Sequence, residues 1–162
     1  IHDLLPNRTG GAAMQKNLEA LGDIQYTQEE IDFALEMQRN NGKPEIGIDG
    51  KIRSLRETLK SPGGGSTDVG DVSYNVPVVS LNATTAPKGV PWHSWSVVAS
   101  SGMSIGHKGM LYAAKALGMT MVDIFKDSRL RDDIKREFDE RIGEYEYDPF
   151  LDPGPPPLDY VD

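Results

Sequence analysis

The sequence predicts an α/β domain that is mostly helical. Apolar residues recur at helical spacing along several stretches, while Val76–Ala83 is short and rich in β-formers. Glycine- or proline-rich segments separate these runs. A length of 162 residues fits one compact domain with a real core. Apolar residues at 38% and charged residues at 26% match the usual globular balance. Seventeen Lys and Arg against 25 Asp and Glu leave a net charge of −8. That balance argues against nucleic acid or an anionic membrane as a partner. No run approaches the roughly 18 apolar residues of a membrane span. The absence of cysteine excludes disulfides, thiolate nucleophiles and Cys-based zinc sites. The chain opens on Ile1 rather than Met, which suggests an excised piece of a longer polypeptide.

The opening run Ile1–Pro6 is apolar and stops where Pro6 and Asn7 signal a turn. A first helix follows Thr9, because Met14, Leu18 and Leu21 share a face and Gly22 offers a stop. The second helix starts at Thr27, which forms a capping box with Glu30, flanked by Tyr26 and Ile31 as a hydrophobic staple. It runs to about Asn40 and breaks at Asn41-Gly42 and Pro44. Lys51–Lys60 is expected to form a shorter third helix.

Ser61–Ser66 reads Ser-Pro-Gly-Gly-Gly-Ser, too glycine-rich to pack its own core. Composition favours a linker there, and glycine also permits backbone to approach a ligand. Val76–Ala83 is the expected strand, with Pro77 placing its start near an edge, and Thr84–Pro91 is loop. Ser104–Phe125 is broadly apolar, as in a helix buried on several sides, and Gly106, Gly109 and Ala113 permit close backbone contact. The last helix starts near Asp127. Its stripe is Leu130, Ile134, Phe138 and Ile142, while Arg131, Asp132, Lys135, Arg136, Asp139 and Glu140 form a solvated face. Beyond Gly143 the chain turns acidic and proline-rich, as in an extended tail.

Candidates for chemistry are few. The histidines His2, His93 and His107 show no metal-binding helix spacing, and no nucleophile elbow, phosphate loop or dinucleotide fingerprint is present. Asp68 and Asp71 follow the glycine run, where two carboxylates could hold a metal, act as acid and base, or simply cap the next turn. His93 has the most suggestive setting, between Trp92 and Trp95 in the loop after the strand. Aromatic walls would exclude water from an imidazole there, although the same setting suits a packed core histidine.

Several stretches together resemble a known arrangement. They are Gly65–Ser73, His93-Ser-Trp95, Ile105-Gly106 opening an apolar helix, and His107–Lys115, with Leu5-Pro6-Asn7 at the start. The chain resembles the last part of the aminoacylase/carboxypeptidase family of dinuclear metal amidohydrolases, most of all its aminobenzoyl-glutamate utilization protein B group. The resemblance covers most of residues 5–143. It implies a partial three-layer α/β catalytic domain, with helices on a sheet that other residues complete. Residues 1–8 would then end an inserted dimerisation (lid) domain, 9–147 belong to the catalytic domain, and 148–162 form the tail.

The same resemblance implies two divalent metal ions, zinc or manganese, in the parent protein and none bound by this piece alone. His93 matches the family's last metal ligand, and His107 is the weaker candidate. Gly65, Ser66, Thr67 and Asp68 would line the substrate or support the ligands, with Thr67 standing where most relatives carry glutamate. The remaining ligands and the general base would lie upstream. The expected substrate is an N-acyl amino acid or short peptide, p-aminobenzoyl-glutamate among them. The expected parent is a cytoplasmic homodimer or heterodimer joined through the lid domain, with no nucleic-acid or membrane partner. The rival from another class is a non-enzymatic binding or structural domain, in which His93 and Asp68 merely pack and cap. Such a piece should also expose an apolar face.

Overall fold

The computed structural model describes residues 2–55, 67–149 and 154–155. Among them are the helices α1 (Arg8–Leu21), α2 (Gln28–Asn40), α3 (Val69–Ser73), α4 (Trp95–Ser101), α5 (Ser104–Lys126) and α6 (Ser128–Ile142). The long α5 is central and packs against α1, α4 and α6, with α1 also against α6. Met14, Ala34, Met37, Val90, Ile105, Ala116, Ile134 and Phe138 form the buried apolar core.

The helix ends follow from local chemistry. The Asn7 side chain accepts from the Gly10 amide at 2.8 Å, and Glu137 of α6 accepts from the Arg8 and Thr9 amides at 2.8 and 2.7 Å. One tertiary carboxylate thus satisfies donors that the first turn of α1 leaves unpaired. At the other end Gly22 takes φ 75° and returns its amide to the Leu18 carbonyl. The capping box of α2 forms as expected: Thr27 Oγ1 accepts from the Glu30 amide at 3.3 Å, and Glu30 Oε2 accepts from the Thr27 amide at 2.7 Å. Thr27→Ala should cost about 1 kcal/mol in urea unfolding. An unchanged midpoint would show the cap to be dispensable.

Polar bridges then fix the helices to one another. Asn17 of α1 donates to Thr120 Oγ1 at 3.0 Å and to Asp123 at 2.8 Å on α5. Lys108 of α5 donates to Glu30 at 2.6 Å and to the Gln25 carbonyl at 2.9 Å, joining α5 to the start of α2. The α6 stripe holds too, with Ile134 and Phe138 buried and Leu130 and Ile142 half-buried.

Small residues on α5 do bring backbone close. A Cβ at Gly109 would collide with the Thr84 carbonyl oxygen and stand 2.8 Å from Thr85 Cγ2, and one at Gly106 would collide with Ser101 backbone. Gly109→Leu should therefore destabilise by ~1–3 kcal/mol through overpacking. A thermal midpoint equal to that of the parent would refute the close approach.

Four expectations fail. No strand forms over Val76–Ala83 among the described residues, because a strand needs a partner and none of them supplies one. Residues 51–55 are irregular rather than the start of a third helix, and 56–60 lie outside the described residues, as does the glycine run 61–66. The expected buried α5 is buried on one side only: Met110, Leu111, Leu117, Met121, Val122 and Phe125 are exposed, Phe125 by 76%. The loop after residue 91 contains α4, a short helix that its Ser-rich sequence does not announce. The exposed apolar face is the one expected of such a piece. Within the described residues no helix is long and apolar enough to cross a membrane.

Candidate functional site

His93 stands in the turn that leads into α4, and two side-chain amides at the end of α2, from buried Gln38 and half-buried Asn41, hold the segments on either side of it. Gln38, wholly buried, donates to the Lys88 carbonyl at 2.7 Å and the Gly47 carbonyl at 2.8 Å, while its oxygen accepts from the Gly47 amide at 2.8 Å. Asn41 donates to the hydroxyl of buried Ser96 at 2.8 Å. The Ser94 hydroxyl donates to the Pro91 carbonyl at 2.5 Å and closes the turn around the histidine. The shoulders of the loop are therefore rigid.

Inside that frame His93 takes φ 58°, the left-handed region that a non-glycine residue enters at a cost of order 1–3 kcal/mol. Its side chain is exposed, and no hydrogen bond or ion pair to a described residue engages it. The expected aromatic walls are absent: Trp92 and Trp95 are 70% and 60% exposed, so they do not seal the ring from water here. Trp92 instead forms part of the rim of a cleft of about 990 Å³. That cleft runs between α1, residues 49–55 and residues 78–90, with Lys51, Arg53 and Lys88 among its walls.

The other expected residues are dispersed. His107 lies in the first turn of α5, exposed, with its amide bonded to the Met103 carbonyl at 3.0 Å. Thr67 and Asp68 are exposed just before α3; the Thr67 hydroxyl accepts from the Val69 amide at 3.3 Å, and Asp68 makes no side-chain cap. Gly65 and Ser66 lie outside the described residues. No three His, Cys, Asp or Glu side chains among the described residues come together to hold a metal ion. One exposed imidazole is a ligand and not a site, so a metal centre does not fit these residues alone.

A denser cluster joins His2 and Asp71, two of the candidates above, to tyrosines that the sequence did not connect with them. His2 Nδ1 donates to Asp71 at 2.8 Å, and its Nε2 meets the Tyr145 hydroxyl at 2.7 Å, with Tyr147 bonded to Asp71 at 3.2 Å. With Asp71 ionised, a neutral His2 ring accepts at Nε2 from the tyrosine. The hydrogen bond from His2 holds the Asp71 carboxyl below its ordinary range. Tyr74 packs on the ring at 5.0 Å. The cluster fastens residues 145–147 and the opening segment onto α3. The alternation Tyr145-Glu146-Tyr147, two aromatics on one side of an extended segment, is the signal that could have pointed to it.

Over 157 residues the chain is 36% identical to one of the subunits of the p-aminobenzoyl-glutamate hydrolase of Escherichia coli (strain K12). The chain is similar to part of a hydrolase subunit. The match covers 82% of this chain and 33% of that relative, so the chain spans a third of its length. No family model matches the chain, and no solved structure matches it significantly.

Proposed function

We propose that this chain is part of a metal-dependent amidohydrolase that cleaves an amide bond of an N-acyl amino acid or short peptide, p-aminobenzoyl-glutamate among them. The similarity to the hydrolase subunit over 82% of the chain carries the proposal. In this reading the helices belong to a three-layer α/β domain whose sheet lies in the rest of a longer cytoplasmic protein. That protein works as one half of a dimer, a reading favoured by the relative's being itself one of several subunits. Two divalent metal ions, zinc or manganese, would supply Lewis acidity and an activated water there. His93 would offer one imidazole to them, and residues outside this chain would offer the others.

The remaining roles fall to this chain's own geometry. Gln38 and Asn41 hold the His93 turn, and the left-handed backbone presents the ring outward without a competing partner among the described residues. The His2–Asp71 clasp fixes α3, directly after Thr67 and Asp68, as a platform beside the substrate. The test is release of p-aminobenzoate from p-aminobenzoyl-glutamate by the full-length protein, before and after chelation. Activity that chelation abolishes and added Mn²⁺ or Zn²⁺ restores is the expected result. No release in any metal would favour the non-enzymatic reading.

A further inference from the structure

We propose that the indole of Trp95 is an aryl-acyl subsite, a flat face on which the aromatic ring of an N-aroyl amino acid stacks while its scissile carbonyl lies beside His93. The inference rests on the hydrolase function proposed above and adds the residue that selects the acyl group. It begins with α4, whose faces are reversed. Ser96 and Ser100 are wholly buried, while Trp95 and Val98 are 60% and 74% exposed. A surface helix ordinarily buries its apolar residues and leaves its hydroxyls to water.

The buried hydroxyls hold the helix down. Asn41 donates to Ser96 Oγ at 2.8 Å, Ser96 Oγ stands 3.1 Å from the Asn41 carboxamide oxygen, and Ser100 donates to the Ser96 carbonyl at 2.7 Å. Trp95 is thus carried on a fixed helix with most of its surface in water. Ser94 separates it from His93 and is extended, with φ −127° and ψ 162°. One extended residue puts the Cα atoms of His93 and Trp95 about 7 Å apart. His93 is exposed as well, so one ligand can reach both rings.

The occupant follows from that spacing. In an N-aroyl amino acid the ring is bonded directly to the scissile carbonyl carbon, so whatever holds the ring must stand beside whatever holds the carbonyl. Aromatic rings pair with centroids about 4.5–7 Å apart, a reach that suits two side chains one residue removed. An alkyl acyl group has no π-face to offer and gains less against an indole. The relative's name carries an aroyl group, p-aminobenzoyl. Trp92, 70% exposed, borders the cleft and is the natural comparison.

The full-length protein tests it, with N-benzoylglutamate and N-acetylglutamate as substrates and p-aminobenzoate as the binding probe. Trp95→Leu should lower the ratio of kcat/KM for the benzoyl over the acetyl substrate by about fivefold to tenfold, mostly through KM, and Trp95→Phe should restore most of it. Trp92→Leu should leave that ratio nearly unchanged. Hydroxyl-radical footprinting read by mass spectrometry should oxidise Trp95 in the free protein, and p-aminobenzoate should protect it. An unchanged ratio in Trp95→Leu would overturn the proposal, as would a loss confined to Trp92→Leu or a Trp95 that p-aminobenzoate leaves unprotected. A Trp95 already shielded in the free protein would also overturn it and assign the α4 face to other polypeptide or a second copy. Hydrolysis of both substrates without an aryl preference in the parent protein sinks the subsite alone. Protection of Trp95 by p-aminobenzoate without hydrolysis of either substrate sinks the hydrolase reading and leaves the aryl site standing.

Discussion

Replacing Lys108 by methionine is expected to destabilise the protein by about 2–4 kcal/mol near neutral pH. Glu30 is 5% exposed at its side chain, and Lys108, 34% exposed, is its ion-pair partner at 2.6 Å. Burial pushes the Glu30 carboxyl up, but bonds from Lys108, Ser104 and the Thr27 amide more than reverse this, lowering it from 4.5 to about 2. Methionine keeps much of the lysine stem's packing and removes the charge, so Glu30 is left ionised and partly unpaired. The pH dependence identifies that cause. A carboxyl depressed in the folded state contributes stability that is full above its unfolded value and is lost as pH falls toward its folded one. The parent should therefore lose stability between about pH 4.5 and 2, with Glu137, also lowered to about 2, adding to the same window. The difference between parent and Lys108→Met should shrink across that range as Glu30 becomes protonated in both. Urea midpoints at pH 7, 4 and 2.5 are the measurement. A difference that stays constant with pH would trace the loss to the lysine stem instead of its charge.

The same residues show what a sequence can and cannot announce. Thr27 and Glu30 are three positions apart, and so the capping box and the start of α2 were legible. Gly22 and Asp127 marked helix ends by equally local chemistry. The third partner of that box, Lys108, lies 78 positions from Glu30, and nothing local connects them. Glu137 carries no local signal in the sequence, yet it caps α1 from 128 and 129 positions away. Residues 76–83 failed for a different reason. Their β-forming composition was read correctly as composition, but a strand is a property of a pair, and the described residues hold no second member. At the candidate site, the place of His93 between Trp92 and Trp95 was legible, although α4 beside it and the exposure of both rings were missed. The left-handed backbone of His93 and the Gln38 anchor 50 positions from Lys88 were not legible, since both are set by tertiary contacts.

On the function proposed above, His93→Ala in the full-length protein is expected to cut hydrolysis of an acyl-glutamate substrate by more than ~100-fold. Loss of a residue that merely supports a metal ligand already costs about 10–100-fold, and loss of the ligand itself should exceed that. The fold should survive: His93 is exposed, engages no described residue, and occupies a turn fixed by Gln38 and Asn41 rather than by its own side chain. Because the residue holds φ 58°, His93→Gly serves as the matched control, removing the imidazole while relieving backbone strain. It should be as inactive as alanine and at least as stable. His107→Ala removes an equally exposed imidazole from the first turn of α5 and should leave rate and metal content nearly unchanged. Metal content by elemental analysis, turnover and thermal midpoint, measured together on the three variants, separate the possibilities. Normal turnover in both His93 variants would remove that residue from the site. A loss confined to His107→Ala would move the ligand into α5, 14 positions along the chain. Loss of turnover in the His93 variants with full metal occupancy would give its imidazole a role at the substrate instead of the metal.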